Sequence, residues 1–515
     1  MNGLSDPVAM TRTMQASKLP ILTIVASVAI SLFIYAQGDI VNKDGVLYVE
    51  VAQRYLSGGI AEAYAVYNWP FYGILIGVIH QATSISFEHS AYLLNTVLFA
   101  ITCSTFVSIY HEISHKEARP WLAAILILSL PILNAYRDLV IRDSGFWAFT
   151  LISLLYFIRF TRTSRRAASF AWQVAAIVAV AFRIEGIIFF AVPILYYTLN
   201  RDFKEAKIKH ILKSSYLLIG LCVVGVVTAS AYGLFFSGQN SPTLQLWLSY
   251  ISPASVVERF YAESLQLHEQ LQFLSSVEEA AFVLGIGLIG LAIYKILINA
   301  VVPYMLVFAY GSANRWIDSD QGNRVVALFL VLAILPVLSI LANQFFLSSR
   351  HTVLAVLLLS LLTFQYVDAA FQKLAALPSS RWSMLAWAFV LLLFLVSTIS
   401  VGSSKAIIRT GAHWALDNID QSKPWLCNEA RLKFYTENRC KLVTTELILS
   451  TTRGNQIRSE SAYLLLWIEH DNRQLIRSIE DNPDLRLINV HENSEENRVA
   501  IFEITRPSHP WPQRK

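Results

Sequence analysis

The sequence predicts a polytopic α-helical membrane protein that carries a small α/β domain outside the cytoplasm. Of its 515 residues 55% are hydrophobic and only 15% are charged. The mean hydropathy of +0.48 lies beyond the range of soluble domains. Apolar runs of bilayer length alternate with short basic loops up to Val401, and beyond it short β-prone segments take over. The 41 Lys and Arg against 36 Asp and Glu sit largely in those loops, where they set topology, so no nucleic-acid partner is expected.

Residues 1–18 form a cytoplasmic N-terminus, because Arg12 and Lys18 precede the uncharged run 19–37. No small-residue cleavage site comes after that run, so it is retained as a span. Next comes a first external segment, residues 38–90, whose polar and aromatic start reads GDIVNKDGVLYVEVAQRYLSGGIAEAYAVYNW. Leu47, Val51 and Tyr55 share one face of an amphipathic helix that Gly58 and Gly59 separate from the next apolar run. Apolar runs then occupy 70–85, 91–110, 120–136 and 145–158. The loop RFTRTSRR at 159–166 is the strongest cytoplasmic signal, and parity lets it lie inside only if one run does not cross. The run 70–85, with His80 and Gln81, is read as an interfacial or re-entrant helix.

The basic segment 201–213 must share a side with RFTRTSRR, so the residues between them cross twice as a short hairpin, 169–182 and 187–199. Arg183 and Glu185 stand at its tip. A charge at membrane depth costs about 2.5–3.5 kcal/mol, so the tip faces a polar cavity open to the outside. The structural alternative is that the two residues only clamp each other. Residues 215–236 cross outward and 237–279 form a polar external segment. The run 280–310, interrupted by Lys295, crosses either once or twice. One crossing puts Arg315 and Arg324 inside, Arg350 and His351 outside, Lys373 and Arg381 inside and the tail outside. The membrane domain, residues 19–401, then has about 11 spans.

The tail, 402–515, has β-prone runs at 442–449, 462–468, 485–490 and 499–504, with helix-like segments around 428–435 and 472–480. That is enough chain for a small α/β domain. Its two cysteines, Cys427 and Cys440, would close a short loop as a disulfide in an oxidising compartment. Cys103 and Cys222 lie in apolar runs, where core packing is the default. No internal repeat is evident, which weighs against common transporter designs.

The external face collects Asp39, Asp44 and Glu50, then Arg137, Asp138, Arg142 and Asp143 from RDLVIRD, then Arg183 and Glu185, then Arg350 and His351. Carboxylates and arginines on one side suit group transfer from a lipid phosphate. An acid takes the acceptor hydroxyl's proton, and planar guanidinium forks stabilise the departing phosphate. Read without function, RDLVIRD is a solvated turn of opposite charges and Arg350-His351 an interfacial anchor. Asp39, Asp44 and Asp143 could hold a divalent metal through oxygen ligands, though no spacing demands one.

Taken in order, KDGVLYVEVAQRYLSGG, the Trp69-Pro70 step into an apolar helix, RDSGFWAF at 142–149 and RIEG at 183–186 resemble the GT-C glycosyltransferases. The nearest groups are the protein O-mannosyltransferase and lipid A aminoarabinose transferase relatives. The ordered motifs cover residues 20–200, and a looser likeness continues through SSRHTVLAVLLLSLL to the tail. The resemblance implies transfer of a sugar from a polyprenyl-phosphate carrier to a glycan, lipid or protein acceptor at the periplasmic face of a bacterial inner membrane. It implies Asp44 as catalytic base, Asp143 as the acid opening the fourth span, and Arg142, Arg183 and Arg350 as contacts to the lipid-linked phosphate. Glu185, His351, Arg137, Asp138 and Tyr48 complete the expected substrate-binding set. Two departures stand out: Gly45 comes after Asp44 where many members have a second acid, and Pro70 is single where many have a doubled proline. An oligosaccharide ligase using a polyprenyl-diphosphate donor needs several basic residues in a large late external loop, and 237–279 has only Arg259. A lipid or glycan transporter needs charge through the full membrane depth, whereas these charges, Lys295 apart, gather at one face.

Overall fold

Apolar helices pack side by side, and most of the bundle's ion pairs lie at their ends. The computed structural model describes residues 7–38, 40–115, 117–200, 207–235, 253–271, 273–318, 320–377, 381–399, 405–444, 462–472, 475–476, 479 and 485–505. The first half contains α1 (Pro7–Gln37), α2 (Lys43–Val66), α3 (Phe71–Thr83), α4 (Phe87–Ile113), α5 (Pro120–Leu128), α6 (Pro131–Asn134), α7 (Asp143–Thr163) and α8 (Arg166–Phe182). A 3₁₀ turn (Ile184–Ala191) leads into α9 (Val192–Leu199) and then α10 (Lys207–Phe235). The second half contains α11 (Pro253–Gln270), α12 (Val277–Asn299), α13 (Val302–Ala313), α14 (Gln321–Gln344), α15 (Ser349–Ala375) and α16 (Arg381–Thr398). Among the described residues, eight helices are long and apolar enough to cross a membrane, which needs about 20 residues. They lie in α1, α4, α7, α10, α12, α14, α15 and α16. Their outer surfaces expose large apolar side chains such as Leu22, Phe33, Val226 and Ile289, as a lipid-facing surface requires. The interior is aromatic, with Phe99, Phe106, Trp147, Phe157 and Trp172 fully buried.

Ion pairs sort the helix ends into two groups. At one end, Arg162 of α7 reaches Glu112 of α4 at 3.1 Å and Asp320, which caps α14, at 2.9 Å. Arg119 before α5 joins Asp368 of α15 there at 2.7 Å. At the opposite end, Arg350 at the start of α15 pairs with Asp44 at the start of α2, and Arg183 after α8 pairs with Asp143 at the start of α7. Arg324 and Lys373 therefore sit away from Arg350 and His351, in the alternation that parity demands.

Helix α3 does not join that alternation. At its start Phe71 packs edge-on to Phe182 at 5.1 Å, and near its end His80 stacks on Phe87 of α4 at 3.9 Å. Gly73 and Gly77 let it lie close along α2, since a side chain at Gly73 would press on Val51 and the Tyr48 carbonyl. Helix α2 breaks at Gly59, whose φ of 78° is open to glycine, and resumes to Val66. Its buried face is Gly45, Tyr48, Val49 and Ala52 together with Val51, so Leu47 and Tyr55 form a half-buried flank rather than the centre.

The apolar run 280–310 is broken at Ala300 and Val301. Asn299 donates to Thr352 at 3.1 Å near the start of α15, Tyr304 meets Phe364 further along, and Lys373 lies over Trp316 beyond α13. Helix α13 thus runs beside α15 from near its start toward its far end. Of the two apolar-run cysteines, Cys103 is buried, but Cys222 is exposed on α10. Lipid is as apolar as a core, so an apolar residue has no need to turn inward there.

The tail begins with α17 (Ala406–Asn418), then β1 (Trp425–Cys427), α18 (Ala430–Tyr435), β2 (Cys440–Leu442), β3 (Tyr463–Ile468), β4 (Leu485–Glu492) and β5 (Arg498–Ile504). The sheet order is β2-β1-β3-β5-β4, with β1 parallel to both neighbours and β5 antiparallel to β3 and β4. All six residues of β3 are buried, as expected of a central strand covered on both faces. One face packs on α17 and α18, the other on Leu475 and Ile479. Cys427 and Cys440 form the expected disulfide, which joins β1 to β2. Three β-prone runs and the helix after Asn428 fall where the pattern puts them, whereas β1 and α17 carry no pattern that marks them. Strand β2 starts at Cys440 rather than Leu442, and residues 445–449 and most of 472–480 lie outside the described residues.

Candidate active site

Asp44 lies in the first turn of α2, where a carboxylate meets the positive end of the helix. It accepts from Arg350 of α15, and the two side chains are 42% and 35% exposed. The residue before the helix, Asn42, ties this turn to the loop that ends at Asp143. Its Nδ2 donates to the Val140 carbonyl at 3.2 Å, and the Val140 N–H donates to its Oδ1 at 2.8 Å. Gly45 is required by the same closure, because a Cβ there would come within 2.5 Å of Val41 and 2.9 Å of Val140. Gly45 therefore makes room for the second acidic loop.

Asp143 opens α7 and is held by Arg183, which also grips Glu185 through Nε at 3.2 Å. Gly145 and Gly186 explain why RDSG and RIEG occur together. A side chain at Gly145 would overlap the Phe182 ring, the residue before Arg183, and one at Gly186 would press on the Ala179–Val180 backbone. Here the charges are withdrawn from solvent: Asp143 is 5% exposed, Arg183 10% and Glu185 23%.

Between these two groups lies a narrow cleft of about 20 Å³ whose polar lining is Asp143, Arg183, Glu185, Arg350 and His351. Its apolar lining includes Phe146, Trp147, Phe189, Pro336, Val337 and Leu354. Arg350 Nε and His351 Nδ1 are buried there without a hydrogen-bond partner among the described residues. Such groups are costly unless something completes them, so they mark where a polar ligand atom belongs. Arg142 lies over the Tyr67 ring at 5.3 Å and has no carboxylate partner among the described residues. Its charge also reaches Glu185, and it is not among the residues lining the cleft.

The remaining expected residues divide. Tyr48 is buried edge-on to Tyr67 and Tyr72 at 6.0 and 5.0 Å, behind the cleft rather than on its wall. Burial raises its phenol well above the ordinary value although Arg142 opposes it, so it stays protonated. Asp138 is half-buried, and burial pushes its carboxyl up. It stands beside Gly38, not in the cleft lining. Arg137 corrects the expectation outright. It is 2% exposed and spent on Asn134, Ser27 and Ser31 at 2.8, 3.0 and 2.7 Å, between α1 and α4. A tight turn cannot aim all four charges of RDLVIRD one way, and Arg137 goes inward where hydroxyls await it. Asp39 lies outside the described residues, and Glu50 is not among those lining the cleft.

Among the described residues no three of His, Cys, Asp and Glu come together as a metal site. Asp44 and Asp143 are each engaged by an arginine, and Asp39, the third acid of the expected oxygen set, lies outside the described residues. Sequence reasoning missed Asn42, Tyr136, which lies against Ser348 and Arg350, and the steric role of Gly45 and Gly145. Only the glycines left a signal, standing one and two residues after an acid. No protein-family model matches the chain, and a search of curated proteins gives no match.

Proposed function

We propose that this protein is a membrane glycosyltransferase of the GT-C kind, with about 11 spans, that moves a sugar from a polyprenyl-phosphate carrier to an envelope acceptor. The observation that carries the reading is the meeting of Asp44 and Asp143, from separate loops, with Arg142, Arg183 and Arg350 at one end of an apolar bundle. A long isoprenoid needs an apolar groove, its phosphate needs arginines, and an acceptor hydroxyl needs a base.

In this reading the acceptor oxygen bonds to the sugar's anomeric carbon while the bond from that carbon to the phosphate oxygen breaks. The lipid phosphate leaves with the electron pair, and the hydroxyl proton passes to a carboxylate. Asp44 is assigned that role because it is 42% exposed, whereas Asp143 is 5% exposed and committed to Arg183. Arg350 serves two states: it neutralises Asp44 while the site is empty and turns to the phosphate when donor enters, freeing the base. Arg142 completes the phosphate contacts, and Asp143 with Glu185 fixes Arg183. The excess of basic residues in loops at the other end supports reading the site as periplasmic.

The test is mass spectrometry of envelope glycans, lipids and glycoproteins from cells with and without the protein, and from cells with Asp44→Asn. Loss of one sugar in both the null and the Asp44→Asn strain is expected. An envelope identical in all three strains would sink the reading.

A further inference from the structure

The three residues before Asp44 are held from two other parts of the molecule. Val41 donates its N–H to the Tyr435 hydroxyl at 2.9 Å, Asn42 pairs with Val140, and Lys43 reaches Glu429 at 3.0 Å. Two of those partners, Tyr435 and Glu429, belong to the tail: they end and cap α18. Neither is loose. The Glu429 side chain is 5% exposed and bound by Arg431 at 3.0 Å, and the Tyr435 hydroxyl passes a hydrogen bond to Glu88 of α4 at 3.4 Å. The Cys427–Cys440 disulfide bridges the strands flanking α18, and Ile40 packs into the tail's core ahead of this strap. Lys43, by contrast, is 64% exposed, so holding its ammonium in one place does nothing for the burial of either domain.

We propose that the tail domain is a positioning element of the active site, in which Glu429 and Tyr435 fix residues 41–43 and so set Asp44 against the cleft. This rests on the reading of Asp44 as the base. Within the membrane helices the start of α2 is held by the packing of Val41, Gly45 and Tyr48 in the bundle core, by Asn42, and by Arg350, the partner that must let go when donor binds. With Arg350 turned to phosphate, the polar contacts that residues 41–43 keep among the described residues are the one from Asn42 to Val140 and the two to the tail. Glu429 and Tyr435 touch no substrate. They act through Lys43 and Val41.

The test uses the full chain in nanodiscs. Lys43→Met keeps the stem and removes the charge, Tyr435→Phe removes only the hydroxyl, Lys43→Arg keeps the charge, and Lys441→Met is an exposed tail control. Amide hydrogen exchange is read over residues 41–48, and turnover is read with a radiolabelled polyprenyl-phosphate hexose and envelope extract as acceptor. Lys43→Met and Tyr435→Phe are each expected to speed exchange there and to lower kcat by about tenfold, as small misplacements of a reacting group do. Donor KM stays within about twofold because the phosphate contacts are untouched. Lys43→Arg restores the rate and Lys441→Met changes nothing. Wild-type exchange or wild-type kcat in both Lys43→Met and Tyr435→Phe overturns the proposal. Turnover by Asp44→Asn in the same preparations would overturn the base assignment instead, and the exchange result would still report whether the tail holds the strap.

Discussion

Two carboxylate–arginine groups face each other across the cleft, and they are built for opposite purposes. Asp44 and Arg350 are a half-exposed pair from residues 306 apart, each at the start of its helix and each partly open to solvent. Asp143, Arg183 and Glu185 are a buried triad locked by glycine contacts and aromatic packing. An exposed pair contributes about 0–1 kcal/mol, so opening it is easy. Removing one partner of a buried pair costs about 3–5 kcal/mol, because a stranded charge is left behind. A site that must release a base and keep its frame needs one pair of each kind.

The largest expected effect lies on the openable side. Asp44→Asn should reduce turnover by about 10²–10⁴-fold while melting temperature stays at the wild-type value. Near-normal turnover of purified Asp44→Asn would break the contrast and turn attention to Asp39 or Glu50. On the locked side, Arg183→Ala should destabilise by about 3–5 kcal/mol in denaturant unfolding, with Arg183→Lys intermediate because it keeps charge but loses the fork. If Arg183→Ala instead keeps full stability and loses only donor binding, Arg183 serves the phosphate and contributes nothing to the frame.

Arg142 sharpens the comparison, since it belongs to neither pair. Arg142→Ala should weaken binding of a polyprenyl-phosphate donor by about 10–100-fold, the worth of one charge-assisted hydrogen bond, with stability unchanged. Donor affinity equal to wild type in a nanodisc binding assay would remove it from the site.

The smallest effects are in pH dependence, where two acids outside the spans carry opposite signs. Burial raises the Asp138 carboxyl, so keeping it ionised opposes folding once the pH exceeds its folded value, and that penalty is absent below the ordinary aspartate range. Asp138→Asn should therefore raise the melting temperature at neutral pH, and the gain should vanish by about pH 4. Burial alone would also raise Glu429, but Arg431 and Lys43 outweigh it and hold its carboxyl below the ordinary value. Its stabilisation is thus present above the usual glutamate pKa and is lost as the pH falls through the folded value. Tail unfolding of Glu429→Gln compared with wild type should differ at neutral pH and converge in acid; a difference of the same size at every pH would contradict the assignment.

Much of the frame was legible because its signals are local. Apolar runs mark the long helices, parity picks 70–85 as the run that stays at one end, and Cys427 and Cys440 had only each other in the tail. The motif RIEG even announced a clamp, since Arg183 and Glu185 are two residues apart. What could not be read was the third member, Asp143, or the inward turn of Arg137, which depends on the serines that α1 presents 106 and 110 residues away. The role of the tail was equally hidden, because Glu429 and Lys43 look like ordinary surface charges until two domains meet.

By itself the sequence determined where the long apolar helices fall, which charges lie at their ends and which acids begin a helix, since all of these depend on composition and period within a few turns of chain. Only the tertiary structure decided which arginine belongs to which carboxylate, which pair opens and which stays shut, and that the start of α2 is held from the tail. Those outcomes depend on burial and on partners hundreds of residues away, and an arginine facing two acids is placed by the packing around it rather than by its neighbours in the chain.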